Sequence, residues 1–381
     1  MTERRTRPAA LLLLDPTDVP ATVTPRIERL VEPTWWPEDL ADLPAHRTPE
    51  DTSVLVTGHQ ELGAAALSRF PRLRLVLATG TATDHIDLDY CREHDVVVRN
   101  NTGYSGATVA EHVFALLLAR SRRLASAEAT ARFGGPKEHT LGFDLAGRTM
   151  GIVGLGDVGG RVARLALGFD MRVLFANSNP RHVPFASQVD LDRLLRESDV
   201  VVLTVPLTPR TRHLLDADRF RTMRGNAVVV NVSADELIDP DALASALCEG
   251  TIAGAALDVT GSTAPYLDLP NLTITSRHGW YTAECRHRRA VRWINTLAEC
   301  LDHLDRAVTV AERRWSATAR DTAGPSAAAF EEGHRLSGDS EWSNAVRPFV
   351  LLTPSSNVFP PAVLPDHEGG KSVPPHTPRG T

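Results

Sequence analysis

Three glycines between Thr149 and Asn177 have the spacing of a nucleotide-binding turn. Gly154, Gly156 and Gly159 form the pattern G-x-G-x-x-G between a short apolar run and a segment with helical spacing. The first glycine allows a tight turn, the second lets backbone N–H groups approach a pyrophosphate, and the third lets the helix pack closely on the strand. The helix N-terminus would face the anion. The cofactor contacts predicted here are Gly154, Gly156, Asp157, Val158 and Gly159.

The polar residues after the next apolar run favour NADP(H) as the cofactor. In NAD-selective folds an acidic residue at this place binds the ribose 2′-hydroxyl, but here the residue is Asn177. No carboxylate from Phe175 to Arg181 would repel a 2′-phosphate. Ser178 and Asn179 can donate hydrogen bonds, and Arg181 can make a charge-assisted contact. NAD(H) stays open as the alternative, because an ordinary polar loop would accept it equally well.

Other residues with reactive side chains show no catalytic or metal-binding pattern. Asp84, His85 and Asp87 could form an acid/base cluster, but their place at a turn favours caps and hydrogen-bonding residues. The cysteines are scattered without C-x-x-C or metal-ligand spacing, so we expect reduced structural thiols, no metal and a cytoplasmic location. They are Cys91, Cys248, Cys285 and Cys300.

Short apolar runs alternate with helical patterns, which predicts parallel sheets of an α/β fold. The first strands are expected at Ala10 to Leu14, Val54 to Thr57, Leu73 to Ala78 and Val96 to Val98. Later strands are expected at Met150 to Val153, Asp199 to Val205, Asn226 to Val232, Ile252 to Val259 and Leu272 to Thr275. Long helices are predicted over about Thr108 to Leu124 and Ala283 to Leu304.

Composition excludes several classes of protein. The chain has 381 residues, 42% of them hydrophobic, and a net charge of -6, which gives no basic surface for nucleic acid. The apolar run Ala9 to Leu14 is too short for a membrane span or the core of a signal peptide.

Residues 305–381 are polar and rich in Pro, Ser, Gly and Ala, which predicts a disordered tail with a local docking segment at Arg347 to Leu352.

Four stretches carry a family resemblance over about Val54 to Leu304. They are ATGTATDHIDL (78–88), NNTGYSGATVAEHVFALLLA (100–119), the glycine-turn unit and DVVVLTVPLTPRTRHLL (199–215). With NVSADELID (231–239), GAALDV (254–259) and TSRHGWYT (275–282), they resemble the D-isomer-specific 2-hydroxyacid dehydrogenases, including the C-terminal-binding-protein and glycerate branches.

The resemblance implies two Rossmann-like, doubly wound parallel-sheet domains with the active site in the cleft between them. A substrate domain would comprise residues 8–118 and the C-terminal helix 283–304, and residues 119–282 would form the NAD(P)-binding domain. Members of the family are usually homodimers that reduce 2-keto acids, so we expect a small-molecule substrate and a homodimer.

The resemblance also assigns ligand contacts. Val205, Pro206 and Thr211 would line the adenosine and ribose, and Asp258 would orient the nicotinamide carboxamide. The substrate carboxylate would meet backbone N–H groups of Thr81 and Ala82, although family members often have glycine at Ala82. Further cofactor contacts are expected from Asn231, Val232 and Ser233.

The three catalytic positions depart from the family pattern. Ala234 stands at the position of the arginine that binds the substrate, and Thr263 falls where the glutamate is expected. Arg277 aligns with the proton-transferring histidine, and His278 follows one residue later. If the loop slips by one residue, His278 takes the catalytic place. Otherwise Arg277 can bind an anion but cannot donate a proton, and Tyr104, Tyr281 or His278 would have to serve as the donor.

Two main functions therefore stay open, beside lyase or isomerase chemistry in which the cofactor is used and regenerated internally. The first is an oxidoreductase with an altered active site, which uses another substrate or another proton donor. The second is a catalytically inactive dinucleotide-binding protein that acts as a sensor or as a partner in a complex. The intact glycine turn favours the first, and the three substitutions favour the second.

Overall fold

The computed structural model describes residues 7–44, 50–136, 141–259, 265–267 and 269–321, with side chains up to residue 304. Its strands form two parallel sheets, one of five strands and one of seven. The predicted α/β fold with two Rossmann-like sheets is therefore confirmed. Among the described helices, none combines the length and the apolar character that a membrane span requires.

The first sheet has the strand order β2-β1-β3-β4-β5. The strands are β1 (Ala9–Leu13), β2 (Glu32–Trp35), β3 (Val54–Thr57), β4 (Leu75–Ala78) and β5 (Val97–Arg99). The intervening helices are α1 (Thr24–Leu30), α2 (Ala64–Leu67) and α3 (Leu88–Glu93). Runs of apolar residues form the central strands because both faces of the sheet are covered. The order of the strands reverses between β1 and β3.

The edge strand β2 was missed by the sequence analysis. It contains Pro33, which lies opposite Ala10 in the register with β1. Proline cannot donate a ladder hydrogen bond, so it is tolerated at a sheet edge, where one side of the strand has no neighbour. Helix α1 ends at Leu30, three residues before this proline.

The second sheet has the strand order β12-β11-β10-β9-β6-β7-β8. The strands are β6 (Thr149–Val153), β7 (Arg172–Ala176), β8 (Ser187–Gln188), β9 (Val200–Leu203), β10 (Val228–Asn231), β11 (Gly254–Asp258) and β12 (Leu272–Thr275). The order reverses between β6 and β9, which is the place where a doubly wound sheet binds its ligand. The associated helices are α4 (Gly106–Ser121), α5 (Leu124–Phe133), α6 (Asp157–Gly168), α7 (Leu191–Glu197), α8 (Ala217–Thr222) and α9 (Pro240–Cys248).

Helix α4 packs into the core of the second sheet. Its Val113, Phe114 and Leu117 are buried in one cluster with Met150 and Ile152 of β6. The helix thus connects the first sheet to the second, and Gly106 at its start lies against Asp157 at the start of α6.

The last helix, α10 (Ala283–Asp321), returns to the first sheet. Its Ala290, Trp293, Ile294 and Leu297 are buried with residues of β1, β3 and β4. The predicted end at Leu304 was wrong, since the backbone stays helical to Asp321. No Gly or Pro lies between Trp280 and Ala323, so nothing in the sequence stops the helix earlier. The predicted docking segment Arg347 to Leu352 lies outside the described residues.

Candidate functional site

Two of the three glycines in the turn are tightly packed, and the third faces open space. Gly154 has φ +95°, and a Cβ there would lie 2.6 Å from Val205 Cγ1. A Cβ on Gly159 would overlap the carbonyl oxygen of Gly154. A Cβ on Gly156, by contrast, would meet no atom of the described residues within 4 Å. The arrangement fits a dinucleotide, because the middle glycine leaves the space that the pyrophosphate needs.

Helix α6 begins directly after Gly156 and has no side-chain cap in the described part of the chain. Its first N–H groups are therefore available to an anion, which the helix dipole also favours. The carboxylate of Asp157 pairs with Arg161 at 2.9 Å and lies against Gly106 at the start of α4. Asp157 thus joins two helices, and its predicted cofactor contact would come from its backbone.

Asn177 and Arg181 both bind the glycine turn. The Leu155 N–H donates to Asn177 Oδ1 at 2.9 Å, and the Arg181 guanidinium donates to the Leu155 carbonyl. Gln188 of β8, which the sequence analysis did not single out, accepts from the Arg181 N–H at 2.7 Å and donates to the carbonyl of Asn177 at 3.3 Å. This network brings together the residues predicted for the adenosine ribose, while the neighbouring Ser178 and Asn179 are exposed.

The loop after β9 closes the other side of the turn. Thr204, which was not predicted, donates its hydroxyl to the Gly154 carbonyl at 2.6 Å. Val205 contacts the position where Gly154 would carry a side chain. The Thr211 hydroxyl donates to the Pro206 carbonyl at 2.8 Å, which fixes the shape of the loop. The predicted group Val205, Pro206 and Thr211 therefore lies beside the glycine turn.

The turn after β10 contains the predicted residues Asn231, Val232 and Ser233. Asn231 is buried; its Oδ1 accepts from the Ser233 N–H at 3.0 Å, and its Nδ2 donates to the Ala234 carbonyl at 2.9 Å. The Ala234 methyl packs against the hydrophobic core. No charged side chain extends from position 234, where the family arginine is expected. The other substituted position, Thr263, lies outside the described residues.

The buried carboxylate of Asp258 holds the loop after β12. It accepts hydrogen bonds from the Thr275 hydroxyl at 2.7 Å, the His278 N–H at 2.6 Å and the Gly279 N–H at 2.8 Å. These bonds place Asp258 directly beneath the residues predicted for catalysis. Its contact with a nicotinamide carboxamide stays a prediction.

His112 of α4 joins the same network and was missed by the sequence analysis. Its Nε2 lies 2.9 Å from Thr275 Oγ1 and 3.7 Å from Asp258 Oδ1. Because the Thr275 hydroxyl donates to Asp258, His112 donates to Thr275. Burial lowers the pKa of His112, and His278 adds to the effect, while Asp258 opposes it. The imidazole is therefore neutral at neutral pH. The sequence signal was weak, because α4 also contains Glu111 and Arg120 as polar residues.

Arg277 and His278 lie on the loop that Asp258 holds. Arg277 is exposed and has φ +48°, a left-handed conformation that disfavours a side chain. The imidazole of His278 is also exposed and lies 5.6 Å from the Tyr281 ring, centre to centre. The Tyr281 N–H donates to the His278 carbonyl at 2.9 Å, which closes the turn. Which of the two side chains acts in catalysis stays a prediction.

The loop after β4 presents the predicted substrate contacts. Thr81 and Ala82 are exposed, and within the described ranges neither N–H has a hydrogen-bond partner, so both are available to an anion. Tyr104 lies close by, its hydroxyl 4.0 Å from where a Cβ of Gly80 would be. Burial raises the pKa of Tyr104, although Arg289 partly opposes this. The phenol keeps its proton at neutral pH and can donate a hydrogen bond.

At the turn of Asp84, His85 and Asp87, the expected capping role is observed for Asp87. Asp87 caps α3 by accepting the Tyr90 N–H at 2.9 Å. His85 is buried, and burial lowers its pKa.

Comparison with known proteins places the chain in a family. The model of the D-isomer specific 2-hydroxyacid dehydrogenase NAD binding domain matches residues 114–279. A glyoxylate reductase of Korarchaeum cryptofilum is 37% identical over 60% of this chain and 73% of its own length. A glycerate dehydrogenase of Methylorubrum extorquens is 30% identical over 72% and 90%. A solved acyclic imino acid reductase in complex with NADPH and D-Arg superposes with a TM-score of 0.71 at 28% identity, covering 77% of this chain and 97% of that one. The chain therefore belongs to the D-isomer-specific 2-hydroxyacid dehydrogenase family of NAD(P)-dependent oxidoreductases.

Proposed function

We propose that the chain reduces a small carbonyl compound with NADP(H) at an active site that lacks the usual arginine, glutamate and histidine. One observation carries the proposal: the carboxyl edge of the second sheet keeps a complete nucleotide-binding turn, while position 234 beside it holds only a methyl group. The substitutions thus fall at positions expected to bind the substrate, whereas the residues expected to bind the cofactor are kept.

The cofactor would be held by the glycine turn, the N-terminus of α6 and the Asn177–Arg181 pair. When bound, it supplies the hydride. NADP(H) is favoured because Arg181 lies against the turn and the neutral Asn177 replaces a carboxylate that would repel a 2′-phosphate. The imino acid reductase that superposes on this chain was solved with NADPH.

His278 is the proposed proton donor. Its backbone is fixed by Asp258, and an imidazole can both donate and accept a proton. Arg277 would bind an anionic group of the substrate beside it, and the Tyr104 phenol would donate a hydrogen bond from the first domain. Because the arginine at position 234 is missing, ordinary 2-keto acids should react poorly, by roughly two to four orders of magnitude in rate.

The test is fluorescence titration with NADPH and NADH, followed by a panel of 2-keto acids, aldehydes and ketones. Turnover that falls strongly in a His278→Gln variant would support the proposal. Tight binding with no turnover on any compound would contradict it and favour the alternative, a dinucleotide-binding sensor or partner protein. Failure to bind either nucleotide would contradict both functions.

Asn177→Asp is expected to reverse the cofactor preference. A carboxylate still accepts the Leu155 N–H, so the turn keeps its shape, but the new charge would repel the 2′-phosphate and favour a free 2′-hydroxyl. The ratio of the affinities for NADPH and NADH should fall by about 100-fold, or about 2.7 kcal/mol. Fluorescence titration of both nucleotides measures it.

The matched control for this variant is Asn295→Asp. It makes the same chemical change on the exposed face of α10, where Asn295 accepts from Arg26. The control should leave the ratio unchanged. A ratio that stays constant in Asn177→Asp would mean that this residue does not face the adenosine ribose.

We also propose that the chain is a homodimer. Large apolar side chains are exposed on α5 and in the segment that follows: Leu124 at 53%, Phe133 at 85% and Leu141 at 79%. Large apolar side chains that are exposed within a short segment of chain are candidates for an association surface. Sedimentation velocity should give twice the monomer mass, and the double variant Phe133→Glu/Leu141→Glu should give the monomer. Leu167→Glu on α6, a control at a site that is also exposed, should remain dimeric.

A further inference from the structure

A small pocket lies at the carboxyl edge of the first sheet, away from the nucleotide turn. It is formed where the loops after β1 and β4 meet the first turns of α10. Its lining residues are Leu14, Asp18, Val19, Thr79, Arg286, Arg289, Ala290 and Trp293. The strand order of this sheet reverses between β1 and β3, and open α/β sheets bind ligands at such a reversal.

The two arginines of the pocket differ in their charge partners. Arg286 donates to Asp18 Oδ1 at 3.2 Å and to the Thr17 carbonyl at 2.8 Å, so its charge is compensated. Arg289 donates to the Thr79 carbonyl at 3.0 Å and to the Thr79 hydroxyl, both of them uncharged groups. No carboxylate in the described part of the chain forms an ion pair with Arg289. The pocket therefore carries one uncompensated positive charge.

Arg289 is held in place before any ligand binds. Its guanidinium lies over the Trp280 ring at 4.9 Å from the centre, and its carbonyl accepts from Asn101 Nδ2 at 3.1 Å. Asn101 also donates to the Thr79 carbonyl at 2.9 Å, so the arginine and the end of β4 form one unit. A fixed guanidinium loses little freedom when it binds an anion, which strengthens the interaction.

The position of Arg289 relates the pocket to the predicted substrate loop. Arg289 binds Thr79, which lies two residues before Thr81. The positive charge of Arg289 also acts to lower the pKa of Tyr104 beside this loop, against the larger effect of burial. The reacting carbon must lie next to the nucleotide, at the carboxyl edge of the second sheet. A group bound in this pocket is therefore at the other end of the substrate.

We propose that Arg289 binds an anionic group of the substrate remote from the reacting carbonyl, so that the substrate is a carbonyl compound with a distal carboxylate or phosphate. The inference rests on the proposed reductase function and names its substrate class. The distal contact would supply part of the anchoring that is lost at Ala234.

Kinetics with matched pairs of substrates test the proposal. Succinic semialdehyde is compared with butanal, and glyceraldehyde 3-phosphate with glyceraldehyde, so that the two pairs distinguish carboxylate from phosphate. In the wild type, kcat/KM for the anionic member of at least one pair should be about 10- to 100-fold higher. Arg289→Met should bring that ratio close to one, and the ratio is the readout because any change in loop geometry affects both members of a pair. Arg289→Lys should keep part of the preference.

Arg26→Met is the matched control, since Arg26 contacts α10 at Asn295 outside the pocket. It should keep the full preference, and circular dichroism should show that all variants are folded. Equal kcat/KM values within both pairs in the wild type would overturn the proposal, as would a preference that survives in Arg289→Met.

A binding readout separates this proposal from the reductase function. Isothermal titration with succinate and with inorganic phosphate, which are not reduced, requires no turnover. Binding to the wild type and to Arg26→Met but not to Arg289→Met would support the anion pocket even if every substrate failed. Absence of binding to the wild type would overturn the pocket and leave the reductase proposal to its own test.

Discussion

Replacing Gly159 with alanine is expected to weaken NADPH binding by at least about 100-fold and to lower the free energy of unfolding by about 2 to 4 kcal/mol. A Cβ at this position would overlap the Gly154 carbonyl oxygen and would lie 2.9 Å from Thr204 Oγ1 and 3.1 Å from Ile152 Cγ2. The nearest overlapping atom belongs to the backbone, which cannot move away by a change of rotamer as a side chain can. Helix α6 must therefore move away from β6 and change the shape of the turn.

Gly160→Ala is the control for this variant, because the two glycines are neighbours in the same helix. A Cβ on Gly160 would meet no described atom within 4 Å. Alanine should stabilise the helix by up to about 1 kcal/mol and leave NADPH binding unchanged. Fluorescence titration and chemical unfolding measure both quantities. Equal losses in the two variants would mean that helix α6 does not need its close contact with the turn.

The second large effect is expected for Asp258→Asn, with a loss of turnover of about 100-fold or more and a loss of stability of about 2 to 4 kcal/mol. The two oxygens of Asp258 accept from three donors, the Thr275 hydroxyl and the N–H groups of His278 and Gly279. An asparagine has only one oxygen, and its NH₂ group would face at least one of these donors. The loop that carries Arg277 and His278 would lose its anchor.

Asp199→Asn is the control, because Asp199 is also a buried carboxylate of the second sheet. It lies at the opposite, amino edge and accepts from the Thr149 N–H at 2.9 Å, Asn226 Nδ2 at 3.0 Å and Arg224 at 3.0 Å. The loss of stability should be similar, but turnover of the folded enzyme should remain. If both variants lost turnover equally, the effect would come from general destabilisation and not from the loop.

The helices and strands that could be predicted are those with a clear pattern in the local sequence. The runs VLVT and LTIT are apolar or β-branched over their whole length, and β3 and β12 coincide with their predicted bounds. Asp190 before α7 and Asp239 before α9 accept backbone N–H groups as capping residues. Strand β2 could not be predicted in the same way, because its pairing with β1 is a tertiary contact that outweighs the local preference of Pro33.

The same difference between local sequence patterns and tertiary contacts applies to the functional site. The glycine turn was predicted because its roles depend on residues close together in the chain. His112 meets Thr275 across 163 positions, and Arg289 meets Thr79 across 210, so neither contact leaves a local pattern. Both residues lie on helices whose spacing predicts a buried face but not the loop that each side chain reaches.

The return of α10 to the first sheet has a consequence for synthesis of the chain on the ribosome. The core around β1, β3 and β4 includes Ala290, Trp293, Ile294 and Leu297, which are translated after the entire second sheet. The nucleotide-binding unit contains all of its own strands by Thr275 and can complete its core first. The domain that is translated first is therefore the last to finish folding, and until then its nascent strands must be kept from associating with other chains.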